Sequence, residues 1–405
     1  RRPDAPVAPL AVPDAVLQEL LQALVVIEDP RHPRGVRHSL RNVLTIAILG
    51  CLCRCDDAEA LEDWGRKDRD WLAQFLDLEH GVPSHDVFLR VLAAIDPVAF
   101  QTAFRTWVTA ILAQLGRSGQ IAIDGQTHRG SADRRADKSP VHLVHALLCG
   151  SGLVLGQVAT ADPSNEIVAI PALLQLFDLR GALVSIDAMG TQVAIARQID
   201  QGGGDYLLAL KGNQSSLHTE VAAAFAEAND SRRRTVDETP PPTVTTFTHT
   251  DGGHGRIETR TIQVLDDFVP WVPAVARWPK LRCLVAVTAT REFALSGERV
   301  AETRFYISSR RLTPEAAGTH VRDHWQVENL LQWTMDVSFG QDACRIRTGH
   351  ASENFAVVRH FAFNLLRSFH GDRYSIPRRR RLCDYDRAYR QRLLEALGLT
   401  ALPAA

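Results

Sequence analysis

Residues 14 to about 115 carry apolar positions at helical spacing. AVLQELLQALVVI repeats them every three or four residues. SLRNVLTIAILGCLC follows Ser39 and SHDVFLRVLAAI starts on Ser84, both suited to cap a helix N-terminus. PVAFQTAFRTWVTAILAQL opens on Pro97, a favoured first helical position. Together they predict an N-terminal helical domain over residues 14–115.

From residue 119 the period shortens. QIAID, VHLVHALLCG and LVLGQVAT read as strands, the last two joined by the hairpin signal Gly150-Ser151-Gly152. NEIVAIPALLQLFDL (helical despite Pro171), ALVSID, TQVAIARQID, DYLLAL and NQSSLHTEVAAAFAEA then alternate helix and strand. The order β-β-β-α-β-α-β-α predicts a mixed five-stranded sheet over residues 119–228: antiparallel across tight turns, parallel across helical crossovers. Charge and then three prolines mark a linker at residues 229–243, which opens a β-rich segment to residue 311 built from TVTTFTHT, RIETRTIQVL, LRCLVAVTATRE and TRFYISS. Residues 312–370 turn helical again, and residues 371–405 form an arginine-rich tail.

Two predicted strands end on an acid, Asp124 in IAIDGQTHRG and Asp187 in ALVSIDAMGTQ. If those strands are neighbours, both carboxylates emerge at one end, where repulsion raises a pKa or calls for a cation. Carboxylates around a shared point suit Mg²⁺, a hard ion that prefers oxygen. A third acid is expected from a helix laid across that end. Glu328 in RDHWQVENLLQW is the candidate, with His324, Trp325, Leu331 and Gln332 one turn away on its face. So apolar a setting predicts a buried glutamate, either metal-bound or in an ion pair with Arg322 or an incoming Arg.

Composition changes this picture in three respects. The chain has 405 residues with 45% hydrophobic and 23% charged content, which suits an ordinary soluble globular protein of two or three domains. Its longest apolar stretch, Leu44 to Cys53, is short of the about 20 residues a membrane helix needs. The N-terminus lacks a signal-peptide core, and a chain opening on Arg1 rather than Met is expected to continue upstream. Seven cysteines, with Cys51, Cys53 and Cys55 in an apolar segment, point to buried free thiols and a reducing cytoplasm. Net charge is −1, so the chain is not uniformly basic. Cations nevertheless cluster at Arg31–Arg41, at Arg129, Arg134, Arg135 and Lys138, and at Arg378–Arg381 with Arg387, Arg390 and Arg392; such clusters permit phosphate contacts or are solvated faces. His142 and His145 lie three apart on one strand, point to opposite faces and make a poor zinc pair. Ser84-His85-Asp86 cannot form a catalytic triad from adjacent residues, and a helix cap is the better account.

The succession strand-acid, strand-acid, helix-glutamate resembles the RNase H-like DDE transposases. AIDGQTHRGS, HLVHALLCGSGLVLGQV, SNEIVAIPALL, SIDAMGTQ, GGDYLLALKGNQ, HGRIETR and RDHWQVENLLQWTMDVSF are similar in wording to one branch, the ISAs-type insertion-sequence transposases with the H-repeat-associated proteins. DPRHPRGVRHSL and GVPSHDVFLRVL resemble that family's N-terminal associated domain. The resemblance spans about residues 20 to 370. It implies an RNase H-like catalytic core interrupted by a β-rich insertion, with Asp124, Asp187 and Glu328 as catalytic metal ligands for two Mg²⁺ ions, Mn²⁺ substituting. It also implies cleavage and strand transfer of double-stranded DNA ends by a homo-oligomer, expected to be a dimer on DNA. The sequence departs from the family pattern at Gln126 (usually Lys), Gln332 (commonly His) and Gln341 (usually an acid). Val321, His324 and Met335 stand where the broader superfamily has Tyr, Arg and Lys, the histidine being normal for this branch.

DNA contacts are expected from Arg129, Lys211, Asn213, Gln214, His254, Arg256, His324, Arg345 and Arg347. Lys211, Asn213 and Gln214 otherwise read as a turn and helix cap, and His254 and Arg256 as an exposed hairpin tip. Two other functions stay open: a catalytically silent DNA-binding regulator descended from a transposase, and a metal-dependent phosphohydrolase of small molecules.

Overall fold

The computed structural model describes residues 16–115, 119–132, 139–160, 165–230, 242–253, 256–293 and 296–398. Arg134, Arg135, Lys138 and His254 lie outside the described residues. The N-terminal helices are α1 (Val16–Val25), α2 (Leu40–Leu52), α3 (Ala58–Lys67), α4 (Arg69–Leu72), α5 (His85–Ala94) and α6 (Pro97–Leu115). Then come β1 (Gln120–His128), β2 (Val141–Leu148), β3 (Leu153–Thr160), α7 (Glu166–Leu174), β4 (Leu183–Ile186), α8 (Val193–Gln201), β5 (Asp205–Leu210) and α9 (Ser215–Asn229). The insertion supplies β6 (Val244–Gly253), β7 (Arg256–Leu265), β8 (Cys283–Phe293) and β9 (Arg299–Ser308). The chain closes with α10 (Pro314–His324), a π-helical turn (Val327–Gln332), α11 (Trp333–Ser338), α12 (Ala351–Ser368), α13 (Ile376–Tyr385) and α14 (Arg387–Ala396).

The strands form one mixed nine-stranded sheet in the order β3-β2-β1-β4-β5-β9-β8-β7-β6. The expected RNase H-like group of five is there, with β2 and β3 antiparallel and β1, β4 and β5 parallel. The insertion extends that sheet. β5 pairs antiparallel with β9 from Leu207↔Ser308 to Leu210↔Phe305, which leads into the meander β9-β8-β7-β6.

Contact density divides the chain into two compact units. The first comprises Arg1–Arg117, Gly125–Asn165 and Val327–Ala405, the second Ser118–Asp124 and Glu166–Gln326. In the second unit, Thr313 caps α10 by accepting the Ala316 N–H at 3.3 Å, and Pro314 pre-sets its first turn. Ala317 and Val321 of α10 then bury against Leu183, Leu207, Ile262, Val264, Val285 and Tyr306 of the sheet.

The first unit is built around α12, whose side chains are nearly all buried. α2, α5, α6 and α13 pack against it. Cys51, Cys53 and Cys55 are buried free thiols, and burial pushes Cys51 and Cys53 up to about 12. Among the described residues no single helix is long and apolar enough to cross a membrane.

The arginine-rich tail differs from the expectation. It forms α13 and α14, and Arg379, Arg380 and Arg390 turn inward. Arg380 is 1% exposed, donates to Asp56 at 2.6 Å and to the Cys51 carbonyl at 2.9 Å, and lies over the Phe339 ring at 3.9 Å. Arg390 is 1% exposed, pairs with Asp68 at 2.9 Å and covers the Trp71 ring at 4.3 Å. Arg379 is bound to Asp372 at 2.9 Å. These cations are held by carboxylates and aromatic faces because an unpaired buried guanidinium would be prohibitive. That leaves Arg378, Arg381, Arg387 and Arg392 exposed, with Arg387 already bonded to Asp68 at 2.7 Å.

A second surprise is a buried run of imidazoles. His128 stacks on His145 with ring centroids 6.3 Å apart, and His145 meets His360 edge-on at 5.2 Å. Both ring nitrogens of His145 and His360 lack hydrogen-bond partners among the described residues. Burial lowers all three, His145 to about 3, and neighbouring charge adds to it: His142 acts on His145, and His145 acts on both His128 and His360.

Two outcomes follow. Arg390→Ala should cost about 3–5 kcal/mol in denaturant unfolding, because it strands Asp68 beside Arg387 alone, whereas Arg392→Ala should stay within about 0.5 kcal/mol. For the histidines, the folded pKa lies below the unfolded value, so their contribution is complete above about pH 6.5 and drains as pH falls toward 3. His145 should cost about 2 kcal/mol by pH 5, and His145→Leu should flatten the fall of melting temperature with acid.

Candidate active site

In the second unit, β1 and β4 run parallel with Gln120↔Leu183, Ile121↔Val184, Ala122↔Ser185 and Ile123↔Ile186 in register. The apolar members of both runs are buried. One residue further on, β4 has ended and Asp187 follows it, whereas β1 runs on through Asp124 to His128; the two aspartates thus stand at matching positions of adjacent strands, both half-buried, but Asp124 does not end its strand as the apolar run suggested. This is the neighbour relation that their matching sequence contexts predict.

The loop after β4 is built around Asp187. Its Oδ1 accepts the Met189 and Gly190 amides at 3.1 and 3.4 Å. Gly190 is needed here because a Cβ would lie 2.3 Å from Ile186 Cγ2 and 2.7 Å from Ile170 Cδ1. Asn213 donates to the Ala188 carbonyl, and Gln214 donates to the Thr191 carbonyl at 2.9 Å. Two of the expected DNA contacts therefore spend their amide donors on the Asp187 loop. Burial raises the Asp187 carboxyl, and the neighbouring Glu166 carboxylate adds to this; the two amides and the Lys211 ammonium oppose it. Glu166 was part of a quoted motif, SNEI, but spacing gave it no role.

Glu328 departs from the expectation of burial. Val327, Leu331 and Gln332 of the π-helical turn face inward, and Glu328 is exposed. Val327 and Leu331 stand four positions apart, and that pair takes the inward side, leaving the glutamate on the outside. π turns interrupt α-helices frequently at functional sites. Asp124 and Asp187 belong to the second unit and Glu328 to the first. Among the described residues no group of three or more His, Cys, Asp or Glu is arranged to hold a metal ion. The carboxylates brought to matching positions are thus the two aspartates, an all-oxygen pair whose donor chemistry fits a hard divalent cation.

The three glutamines that depart from the family pattern have a shared structural role within the first unit. Gln126 donates to Asp336 Oδ2 at 2.7 Å, Gln332 to the Gly125 carbonyl at 3.3 Å, and Gln341 is hydrogen-bonded to His128. They tie the segment from the π turn to the loop after α11 onto the part of β1 that follows Asp124. The Arg129 amide donates to Asp342 at 2.7 Å, Gly130 N–H to the Asp342 carbonyl at 2.9 Å, and Arg347 to the Gly130 carbonyl at 2.9 Å. A Cβ at Gly130 would lie 2.6 Å from the carbonyls of Asp342 and Cys344, so only glycine permits that approach.

Of the remaining expected contacts, the Arg129, Lys211 and Arg345 side chains are exposed. Arg256 opens β7. His324 sits 3.1 Å from Ser185 Oγ, and burial lowers it to about 4, so it is neutral near pH 7 and not a phosphate-pairing cation. Ser185 also accepts from Gln120 Nε2 at 2.8 Å, and Gln120 in turn meets His320 at 2.8 Å. This polar row beneath Asp187 had no sequence signal, since its members lie far apart in the chain. Gln126→Ala should cost about 1.5–3 kcal/mol in denaturant unfolding, because it removes a hydrogen bond to a half-buried carboxylate; Asn329→Ala, exposed on the π turn, serves as the comparison and should stay within about 0.5 kcal/mol.

With this geometry in hand, the chain was compared with known proteins. Residues 21–108 match the family described as DDE_Tnp_1-associated, and residues 116–365 match the family described as Transposase DDE domain. The H repeat-associated putative transposase YhhI of Escherichia coli is 34% identical over 386 residues, covering 95% of this chain and 100% of that protein. Putative protein YbfL of E. coli has the same identity and coverage. An uncharacterized protein in the dhlA 3′ region of Xanthobacter autotrophicus is 44% identical over 296 residues, 71% of this chain and 94% of its own length. A piggyBac transposase synaptic complex with hairpin DNA aligns at TM-score 0.40 and 12% identity over 97% of this chain and 84% of its own, too distant to carry an argument. On the strength of the domain match and these relatives, the chain belongs to the DDE-domain transposase family.

Proposed function

We propose that this transposase performs phosphoryl transfer on DNA ends with Asp124, Asp187 and Glu328 as its metal-holding carboxylates. What supports the reading is the parallel register of β1 with β4, which brings Asp124 and Asp187 to matching positions on neighbouring strands. Glu328 joins them by resemblance of sequence, in the stretch RDHWQVENLLQW. Mg²⁺, with Mn²⁺ as a substitute, would supply activation of water or a DNA 3′-hydroxyl and neutralisation of the leaving oxygen.

The chain's own residues contribute the rest. The Met189 and Gly190 amides orient the Asp187 carboxylate, and Asn213 and Gln214 hold the loop that carries it. Burial and the Glu166 charge raise Asp187, which makes it a group that gains from a nearby cation. The exposed Arg129, Lys211 and Arg345 offer charge to phosphate oxygens, contacts that position DNA without reading its sequence. No side-chain nucleophile is invoked, so no covalent protein–DNA intermediate forms.

Asp124→Asn removes one carboxylate charge with almost no change of shape. With Mg²⁺ and labelled transposon-end DNA it should abolish strand cleavage while leaving the melting temperature and the salt-dependent gel shift of duplex DNA near wild type. Nicking at the wild-type rate by this variant would reject the assignment.

A further inference from the structure

The outer edge of β6 pairs with no strand among the described residues. β6 ends the sheet order, and β7 takes its inner edge along its whole length. Open N–H and C=O groups on such an edge template pairing with another chain, and natural edges are usually short, bulged, or guarded by Lys or Pro. β6 is neither short nor bulged, and Asp251 is its one charged guard. It is ten residues long, VTTFTHTDGG, with neither Lys nor Pro. Its ladder runs from Val244↔Leu265 to Gly253↔Arg256 with no slip of register.

The side chains narrow the occupant. Thr246, Thr248 and Thr250 lie exposed on one face, and Thr248 and Thr250 meet Thr261 and Thr259 of β7 at 3.4 and 3.1 Å. Phe247, His249 and Asp251 alternate onto the other face, where His249 and Asp251 form an exposed pair at 2.9 Å. The strand carries Asp251 and no Arg or Lys, and the one guanidinium beside it on this face, Arg260 of β7, is taken up by Glu258 at 2.8 Å and Asp251 at 4.0 Å, so the edge offers little to a phosphate backbone. A second copy of the chain does suit it. In a two-fold antiparallel pairing, each register is defined by the residue that faces itself. Centring on His249 or on Asp251 opposes like groups, and centring on Thr248 leaves Asp251 facing Thr245. Centring on Thr250 sets His249 against the other copy's Asp251 and Phe247 against its Gly253. Opposite charges across strands, and an aromatic ring over glycine, are favourable cross-strand pairs.

We propose that two copies of this chain associate through β6, pairing antiparallel about Thr250 to continue the sheet across a two-fold axis. The inference rests on the edge and its side chains and is independent of the catalytic reading.

Light scattering on the full chain without DNA should show a dimer that dissociates on dilution. Thr250→Lys, an exposed substitution that sets two ammonium groups face to face, should weaken self-association about tenfold or more with the melting temperature unchanged. Thr250→Cys should give a disulfide-linked dimer under mild oxidation, and Thr246→Cys, away from the axis, should not. Asp251→Lys should weaken the dimer and His249→Glu combined with it should restore it. Hydrogen exchange of the β6 amides should slow as protein concentration rises. A monomer at every concentration, a dimer indifferent to Thr250→Lys, or cross-linking through Thr246→Cys in preference to Thr250→Cys would each overturn the proposal.

Discussion

Parallel hydrogen bonding between β1 and β4, in the register Ile123↔Ile186, is the constraint on which the site depends. Two short apolar runs, sixty-odd residues apart in the chain, pair because each is a buried strand with no other way to satisfy its backbone. Each run then ends on a carboxylate, so the register that satisfies the backbone also sets Asp124 and Asp187 side by side. A slip of one residue would turn Asp187 to the other face of the sheet. The site is therefore as precise as the ladder, and the Asp187 loop adds precision through its two amide donors and the Asn213 and Gln214 struts.

Much of the chain's visible chemistry turns out to support structure. Arg380 and Arg390 look like a phosphate-binding tail on paper, yet they lie between carboxylates and aromatic rings in a helical unit. Gln126, Gln332 and Gln341 look like lost catalytic-site residues when measured against the family pattern. In the fold these uncharged amides hydrogen-bond to Asp336, the Gly125 carbonyl and His128. A lysine at position 126 would be the alternative partner for Asp336, so the glutamine keeps the bond and removes the charge. These substitutions are consistent with a working segment, held to β1 by amides.

The insertion has a similar lesson. Its strands carry hairpin signals that are plain in the sequence, and they were expected to make a segment of their own. Instead β9 pairs with β5, and the meander becomes an extension of the sheet that carries Asp124 and Asp187. Extending a sheet moves its edge, and the edge falls on β6, a strand rich in threonine and poor in charge.

Periodicity, caps and turn residues determined most of the element order from α1 to α12, with α3 and α4 unforeseen, because those signals are local: a strand or helix with a clear pattern reveals itself within its own few residues. The two aspartates that close the apolar runs were legible for the same reason. Tertiary structure alone decided the rest. It joined β9 to β5, faced Glu328 outward on a π turn, stacked His128, His145 and His360 together, and turned Arg380 and Arg390 inward. Each of these outcomes depends on partners distant in sequence, and burial of a polar group becomes favourable only once those partners are in place. No pattern along a single chain records that balance.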